Sequence, residues 1–218
     1  MHKNVNNLID IKREINLNNA NADDKIKIIA VSKTFSMENI LPLIDYGHID
    51  FGENKVQEAL DKWSDIKSNN TNLNLHMIGK LQTNKVKQAV KIFDYIHSLD
   101  SIKLAKKISE EQNKIQKNLN IFIQINIGQE EQKSGIKIEE LSDFYNICVN
   151  DFNLKIIGLM CLPPAEGNPE IYFEKMKIAS RKLSLKELSM GMSSDFLTAI
   201  KYNASFIRIG SKIFGSRN

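Results

Sequence analysis

Cysteine is nearly absent: Cys148 and Cys161 are the only two among 218 residues. That excludes the disulfide framework of a small secreted domain and makes cytoplasmic residence the expectation. Long apolar runs are missing too, so no segment reads as a bilayer-spanning helix. Residues Met1 to Asn21 are polar and lack the apolar stretch of a signal peptide. No Gly-rich dinucleotide fingerprint follows the first β-branched run, which counts against a Rossmann sheet. A strong charge of one sign is also lacking: 30 basic residues stand against 26 acidic ones, a net of +4. Lys103, Lys106, Lys107, Lys114 and Lys117 do cluster, but at helical spacing with Ile102, Leu104, Ala105 and Ile108. They read as a solvated helix face, and no aromatics stand among them to stack on bases, so no nucleic-acid partner is expected. His2, His48, His76 and His97 show no paired ligand spacing, so no metal is expected; His76 and His97 read as satisfied core histidines.

What the chain does have is alternation. At 42% hydrophobic it supports one sizeable core, and residues 1–218 read as a single domain. Short β-branched runs predict strands at Ile26–Val31, His48–Phe51, Leu75–Ile78, Tyr95–Ser98, Ile121–Ile127, Leu154–Met160, Leu185–Ser189 and Phe206–Ile209. Amphipathic stretches between them predict helices at Met37–Tyr46, Lys55–Lys67, Thr83–Phe93, Ser101–Gln116, Ile138–Asn150, Pro169–Leu183 and Asp195–Tyr202, after a leading helix over Lys3–Asn18. The polar segment Ser68–Asn74 reads as a surface loop rather than a boundary. Eight strands alternating with helices argue for an α/β fold, a single (β/α)8 TIM-type barrel with an extra N-terminal helix.

In such barrels the site lies at the C-terminal ends of the strands. The unusual residues collect there: Lys33 after the first strand, Glu53 and Asn54 after the second, Met160 closing the sixth, Ser189 to Ser193 after the seventh, and Arg208, Gly210 and Ser211 at the eighth. A lysine at the mouth of an apolar strand is disfavoured in its charged form by desolvation, which makes it a nucleophilic amine able to form a Schiff base. Ser193 stands just before a helical run and reads as its N-cap, while Gly191 and Gly210 allow close backbone approach. Free N–H groups at a helix start attract an anion, and barrels build phosphate sites after strands seven and eight. An imine-forming lysine beside a phosphate cradle suggests pyridoxal 5′-phosphate (PLP). Alternation sets Arg208 on the face opposite Ile207 and Ile209, the interior of a barrel. Its structural reading is an internal salt bridge, for example to Glu53. Its functional reading is a hydrogen bond to the pyridine nitrogen, which would leave that nitrogen unprotonated and the ring a weak electron sink.

These segments together carry a resemblance. Ala30–Thr34, Phe51–Asn54 with Val56–Glu58, His76–Gly79 with Leu81, Gln82, Asn84 and Lys85, Gln124–Asn126 with Lys133–Gly135, Gly158–Met160, Leu188–Ser193 and Ile207–Gly215 with Arg217 run in order through nearly the whole chain. The chain resembles the PLP homeostasis protein family (YggS or PROSC type), which is similar to the N-terminal barrel domain of alanine racemase. The resemblance implies PLP held as an internal aldimine on Lys33. Ser193, Gly210 and Ser211 would hold the phosphate, Arg208 would face the pyridine nitrogen, and Asn54 would lie near the cofactor. It implies a carrier or buffer of PLP that affects amino-acid and keto-acid balance rather than an enzyme, with PLP-dependent apoenzymes as candidate recipients and a monomer favoured over a dimer. Lys55 and Lys80 depart from the family pattern and read as solvent-facing. The alternative is an amino-acid racemase. It needs a second acid/base group that alanine racemase takes from a C-terminal domain, and no such domain is expected here. A Schiff-base aldolase without PLP is a third, weaker reading.

Overall fold

The computed structural model describes residues 1–18 and 26–216. Arg217, part of the resemblance above, lies outside the described residues. Eight parallel strands close into a barrel in sequence order: β1 (Lys27–Val31), β2 (Asp50–Glu53), β3 (Asn74–Met77), β4 (Tyr95–Leu99), β5 (Asn120–Ile125), β6 (Ile156–Cys161), β7 (Glu187–Ser189) and β8 (Phe206–Ile209). β1 pairs with β8 as well as β2, with Ile29 opposite Arg208, and this closes the ring. Helices α2 (Met37–Asp45), α3 (Val56–Asn69), α4 (Val86–Ile92), α5 (Ile102–Lys114), α6 (Leu141–Asn146), α7 (Pro169–Lys182) and α8 (Phe196–Lys201) follow the first seven strands.

The leading helix α1 (Lys3–Asn18) buries Val5, Leu8, Ile11 and Ile15, an i, i+3/i+4 stripe that a helix presents on one face. It packs on α2, α8 and a terminal helix α9 (Ser211–Phe214). Asn4 donates to the Asn39 carbonyl of α2 at 2.9 Å, and Asn7 donates to the Ile213 carbonyl of α9 at 2.8 Å. The helix predicted as an extra thus takes the place in the outer layer that a full helix after β8 would fill.

Strand parity divides the side chains. Ile28, Ala30, Phe51, Leu75, Met77, Ile96, Ile121, Ile123, Leu159, Leu188, Ile207 and Ile209 join the large core between sheet and helices. Ile29, Tyr95, Phe122, Met160 and Phe206 form a second cluster inside the barrel. Interior-facing residues in layers are what a closed eight-stranded barrel requires.

Boundaries differ from the sequence reading where caps and tight turns compete with periodicity. The predicted Thr83–Phe93 helix opens as a 3-10 turn over Thr83–Lys85, and the predicted Ile138–Asn150 helix breaks into a 3-10 turn, α6 and a π turn over Ile147–Asp151. β6 starts at Ile156 rather than Leu154 and runs on to Cys161. The α3 helix extends to Asn69, which shortens the predicted loop. Both cysteines are free and buried.

Candidate functional site

Lys33 continues the interior parity of β1. Lys27, Ile29 and Val31 alternate with Ile28 and Ala30, which pack on the helices. The next inward position after Val31 is therefore Lys33, half-buried just past the strand end. It borders a cavity of about 560 Å³ at the C-terminal mouth of the barrel, lined also by Asn54, Ser193, Arg208, Gly210 and Ser211. Six of the seven residues singled out from the sequence thus meet at one cavity.

Met160 is the seventh, and the structure does not place it among the lining residues. It is fully buried in the interior cluster with Ile29, Tyr95, Phe122 and Phe206. Because β6 extends one residue past Met160, the next inward position, Leu162, lines the cavity instead. Phe35, Ile78 and Met192 also line it, and Phe35 stacks on Phe214 of α9 with ring centroids 4.8 Å apart. Apolar residues at strand ends carry no chemical signal in a sequence, which is why these were missed.

Ser193 does not cap α8. That helix begins at Phe196 with Asp195 as its N-cap. The Asp195 carboxylate instead accepts from the Met192 N–H at 2.6 Å and fixes the preceding turn. The Ser193 hydroxyl accepts from the Lys212 N–H of α9 at 3.4 Å, joining the loops after β7 and β8. Gly191 has φ +90° and lies so close to α8 that a Cβ would sit 2.7 Å from Ala199 Cβ. Its glycine is required by the protein's own packing.

Gly210 differs. Its φ of −109° is open to any residue, and a Cβ there would meet only Val31, at 3.5 Å or more. The protein itself does not demand glycine at this position, which leaves the backbone open beside the cavity that Gly210 lines. With Ser211, Gly210 begins the four-residue α9, which the sequence reading lacked because one turn is too short to show a period.

Arg208 is 4% exposed and interior, as its parity predicts. Burial pushes its pKa down, countered by the neighbouring Cys161 and Asp195. The salt bridge to Glu53 does not form, because the two face opposite sides of the sheet. Arg208 donates to the Ser189 hydroxyl at 2.7 Å and to the Cys161 carbonyl at 2.8 Å. A guanidinium has five donors, so others remain for an acceptor in the cavity.

Glu53 supports the site from behind. On the helix side of β2 it accepts from the Ser32 hydroxyl at 2.7 Å and the Trp63 indole at 3.1 Å, and it pairs with Lys62 at 2.7 Å. Lys62 also donates to the Ser32 carbonyl at 2.9 Å. The hydroxyl and the carbonyl of Ser32, the residue just before Lys33, are thereby both held. Burial pushes the Glu53 carboxyl up, against the opposing pull of Lys62, Trp63 and Ser32. Lys55 and Lys80 are exposed, as expected.

The cavity at the strand ends, with an inward lysine and an interior arginine, defines a barrel built to hold an anionic small molecule. The profile of the alanine racemase N-terminal domain family matches residues 7–218. The pyridoxal phosphate homeostasis protein of Haemophilus influenzae is 37% identical over 97% of this chain and 94% of its own. The PLP-bound structure of PipY from Synechococcus elongatus superposes with a TM-score of 0.86 at 28% identity, covering 97% of this chain and 100% of PipY. An alanine racemase of Clostridium difficile superposes with a TM-score of 0.74 over 99% of this chain and 57% of its own. At 16% identity that likeness shows the fold alone. The chain belongs to the alanine racemase N-terminal domain family and, within it, to the pyridoxal phosphate homeostasis proteins.

Proposed function

We propose that this chain is a PLP-binding protein of PLP homeostasis, holding the cofactor in the cavity bordered by Lys33. The observation that carries this is the meeting of Lys33, Arg208 and the Ser193–Gly210–Ser211 cradle at one cavity, in a chain whose relatives are named for PLP. PLP supplies an aldehyde that condenses with an amine and an aromatic ring that draws electrons. Lys33 provides the amine. Ser193, Ser211 and the backbone at Gly210 take the phosphate, and Asn54 lies near the cofactor. Arg208 offers N–H donors that it does not surrender, so it meets the ring nitrogen as an acceptor and does not protonate it. That favours retention of the cofactor over chemistry that needs a strong electron sink. Met160 acts from beneath, by filling the barrel interior under the cavity.

We further take residues 1–218 as one PLP-binding domain, monomeric and cytoplasmic, which hands PLP to apoenzymes. Among the described residues no helix is long and apolar enough to cross a membrane. The carrier reading is preferred to a racemase because the relatives at 37% identity bear the homeostasis name, whereas the racemase likeness reaches the fold only.

The test is a titration of the apoprotein with PLP followed by absorbance, then borohydride reduction and peptide mapping. A new violet-region band and a reduced adduct on Lys33 are expected. No band, with tight binding of another phosphate compound instead, would overturn the reading in favour of a phosphate-ligand sensor or a cofactor-free Schiff-base enzyme.

A further inference from the structure

Beneath the cavity a single file of buried polar side chains crosses the barrel interior from β2 to Arg208. Asp50 Oδ1 lies 3.0 Å from His76 Nε2, His76 Nδ1 lies 3.0 Å from His97 Nε2, and His97 Nδ1 lies 2.8 Å from Ser189 Oγ. Ser189 Oγ then accepts from Arg208 at 2.7 Å. The five residues come from β2, β3, β4, β7 and β8 and are between 0% and 7% exposed. Burying this many polar groups inside a barrel is costly unless each is matched.

The two ends fix the direction of the chain. Arginine only donates and an ionised carboxylate only accepts. Ser189 therefore accepts from Arg208 and donates to His97 Nδ1. His97 Nε2–H donates to His76 Nδ1, and His76 Nε2–H donates to Asp50. Both histidines are then neutral with one proton each. The reverse order would set a bare His76 nitrogen against the Asp50 carboxylate. Aromatic stacking locks the rings: His76 lies on Tyr95 and His97 on Phe122, each with centroids 4.3 Å apart. Asn74 donates to the same Asp50 oxygen at 3.0 Å and fixes the carboxylate.

We infer that Asp50, His76, His97 and Ser189 are positioning residues that aim the Arg208 guanidinium into the cavity. A carboxylate placed directly on Arg208 would compete with an acceptor in the cavity for the same donors. The relay fixes Arg208 from below through a neutral hydroxyl and leaves its cavity side available. This inference rests on the reading that Arg208 faces the PLP ring nitrogen.

The experiment measures PLP affinity and the absorbance band of bound PLP for Ser189→Ala, Asp50→Asn and Arg208→Gln, with the melting temperature of each apoprotein. Ser189→Ala is expected to weaken PLP binding about tenfold and shift the band, because the guanidinium loses a fixing partner. Asp50→Asn keeps the shape of the core and is expected to move both readouts the same way by a smaller factor. Ser189→Ala made in the Arg208→Gln background should bring no further loss, as for residues acting through one group. A merely structural chain would lower melting temperatures and leave affinity and band alone. Wild-type affinity and band in both Ser189→Ala and Asp50→Asn, beside a clear effect of Arg208→Gln, would overturn the inference. Wild-type behaviour of Arg208→Gln itself would overturn the reading of Arg208 beneath it.

Discussion

Thr34 follows Lys33 with φ +69°, a left-handed conformation that a β-branched residue adopts only under constraint. The constraint is visible: its N–H donates to Glu58, which pairs with Lys62 at 2.9 Å. The turn that presents Lys33 is therefore held in a strained form by its neighbours. Thr34→Gly is expected to raise apoprotein stability by about 1 kcal/mol, since glycine takes this φ without a Cβ clash. A melt that falls by the full entropic cost of a glycine, about 0.5–1 kcal/mol, would mean that the strain is not there. Lys33→Ala, by contrast, is expected to leave the apoprotein folded while abolishing the reducible PLP adduct. An adduct of wild-type yield in that variant would remove Lys33 from its role. At this scale, parity made Arg208 legible in the sequence, and its place at the mouth of an apolar strand made Lys33 so. Met160 lies beneath the cavity rather than on its wall because its strand runs one residue further, to Cys161, and Ser193 lines the cavity without capping α8, which starts only at Phe196.

The elements were legible wherever period and length agreed. All eight strands and the leading helix were foreseen, because β-branched runs and i, i+4 stripes report burial directly. One-turn α9 has too few residues to report anything, yet it carries Gly210 and Ser211 to the rim. The sheet-to-helix contact behind Lys33 was also invisible, since nothing in the order of residues says that Glu53, Trp63 and Ser32 share one oxygen. This contact is testable. Glu53→Ala would leave the Lys62 ammonium and the Trp63 and Ser32 donors without their buried acceptor, and is expected to destabilise the protein by about 3 kcal/mol. Denaturant unfolding measures it. A loss below about 1 kcal/mol would mean the pair is compensated by water or by rearrangement.

For the molecule as a whole, the buried histidines set the response to acid. Burial lowers the His48 pKa from its ordinary 6.5 to about 4, against the raising effect of Asp50, with Lys12 and His76 lowering it further. His76 and His97 are lowered as well, chiefly by burial. In each case the unfolded chain takes up the proton first, so stability is full above pH 6.5 and is lost as pH falls toward 4. For His48 alone the loss amounts to about 3 kcal/mol. Two carboxyls modify the curve. Burial pushes Asp50 up, but His76, Lys27 and Asn74 outweigh it and hold it low, which extends the loss to still lower pH. Glu53, raised by burial, binds its proton earlier in the folded state and softens the descent just above its unfolded pKa. Thermal melts of the apoprotein at constant ionic strength should therefore be level between about pH 7 and 8 and descend steeply below 6.5, and they should fall again above the ordinary thiol pKa of 9.0, because burial pushes Cys148 and Cys161 up to about 12 in the folded state. His48→Gln should flatten part of that descent, and a wild-type curve flat down to pH 4 would show that the histidines are not held neutral. Saturating PLP, bound preferentially by the folded state, should lift the neutral part of the curve by up to about 3 kcal/mol at a hundredfold excess over Kd, less what imines with lysines of the unfolded chain return. If the lift shrinks in step with the acid descent, the interior chain that ends at Arg208 and the bound cofactor draw on the same protonation state.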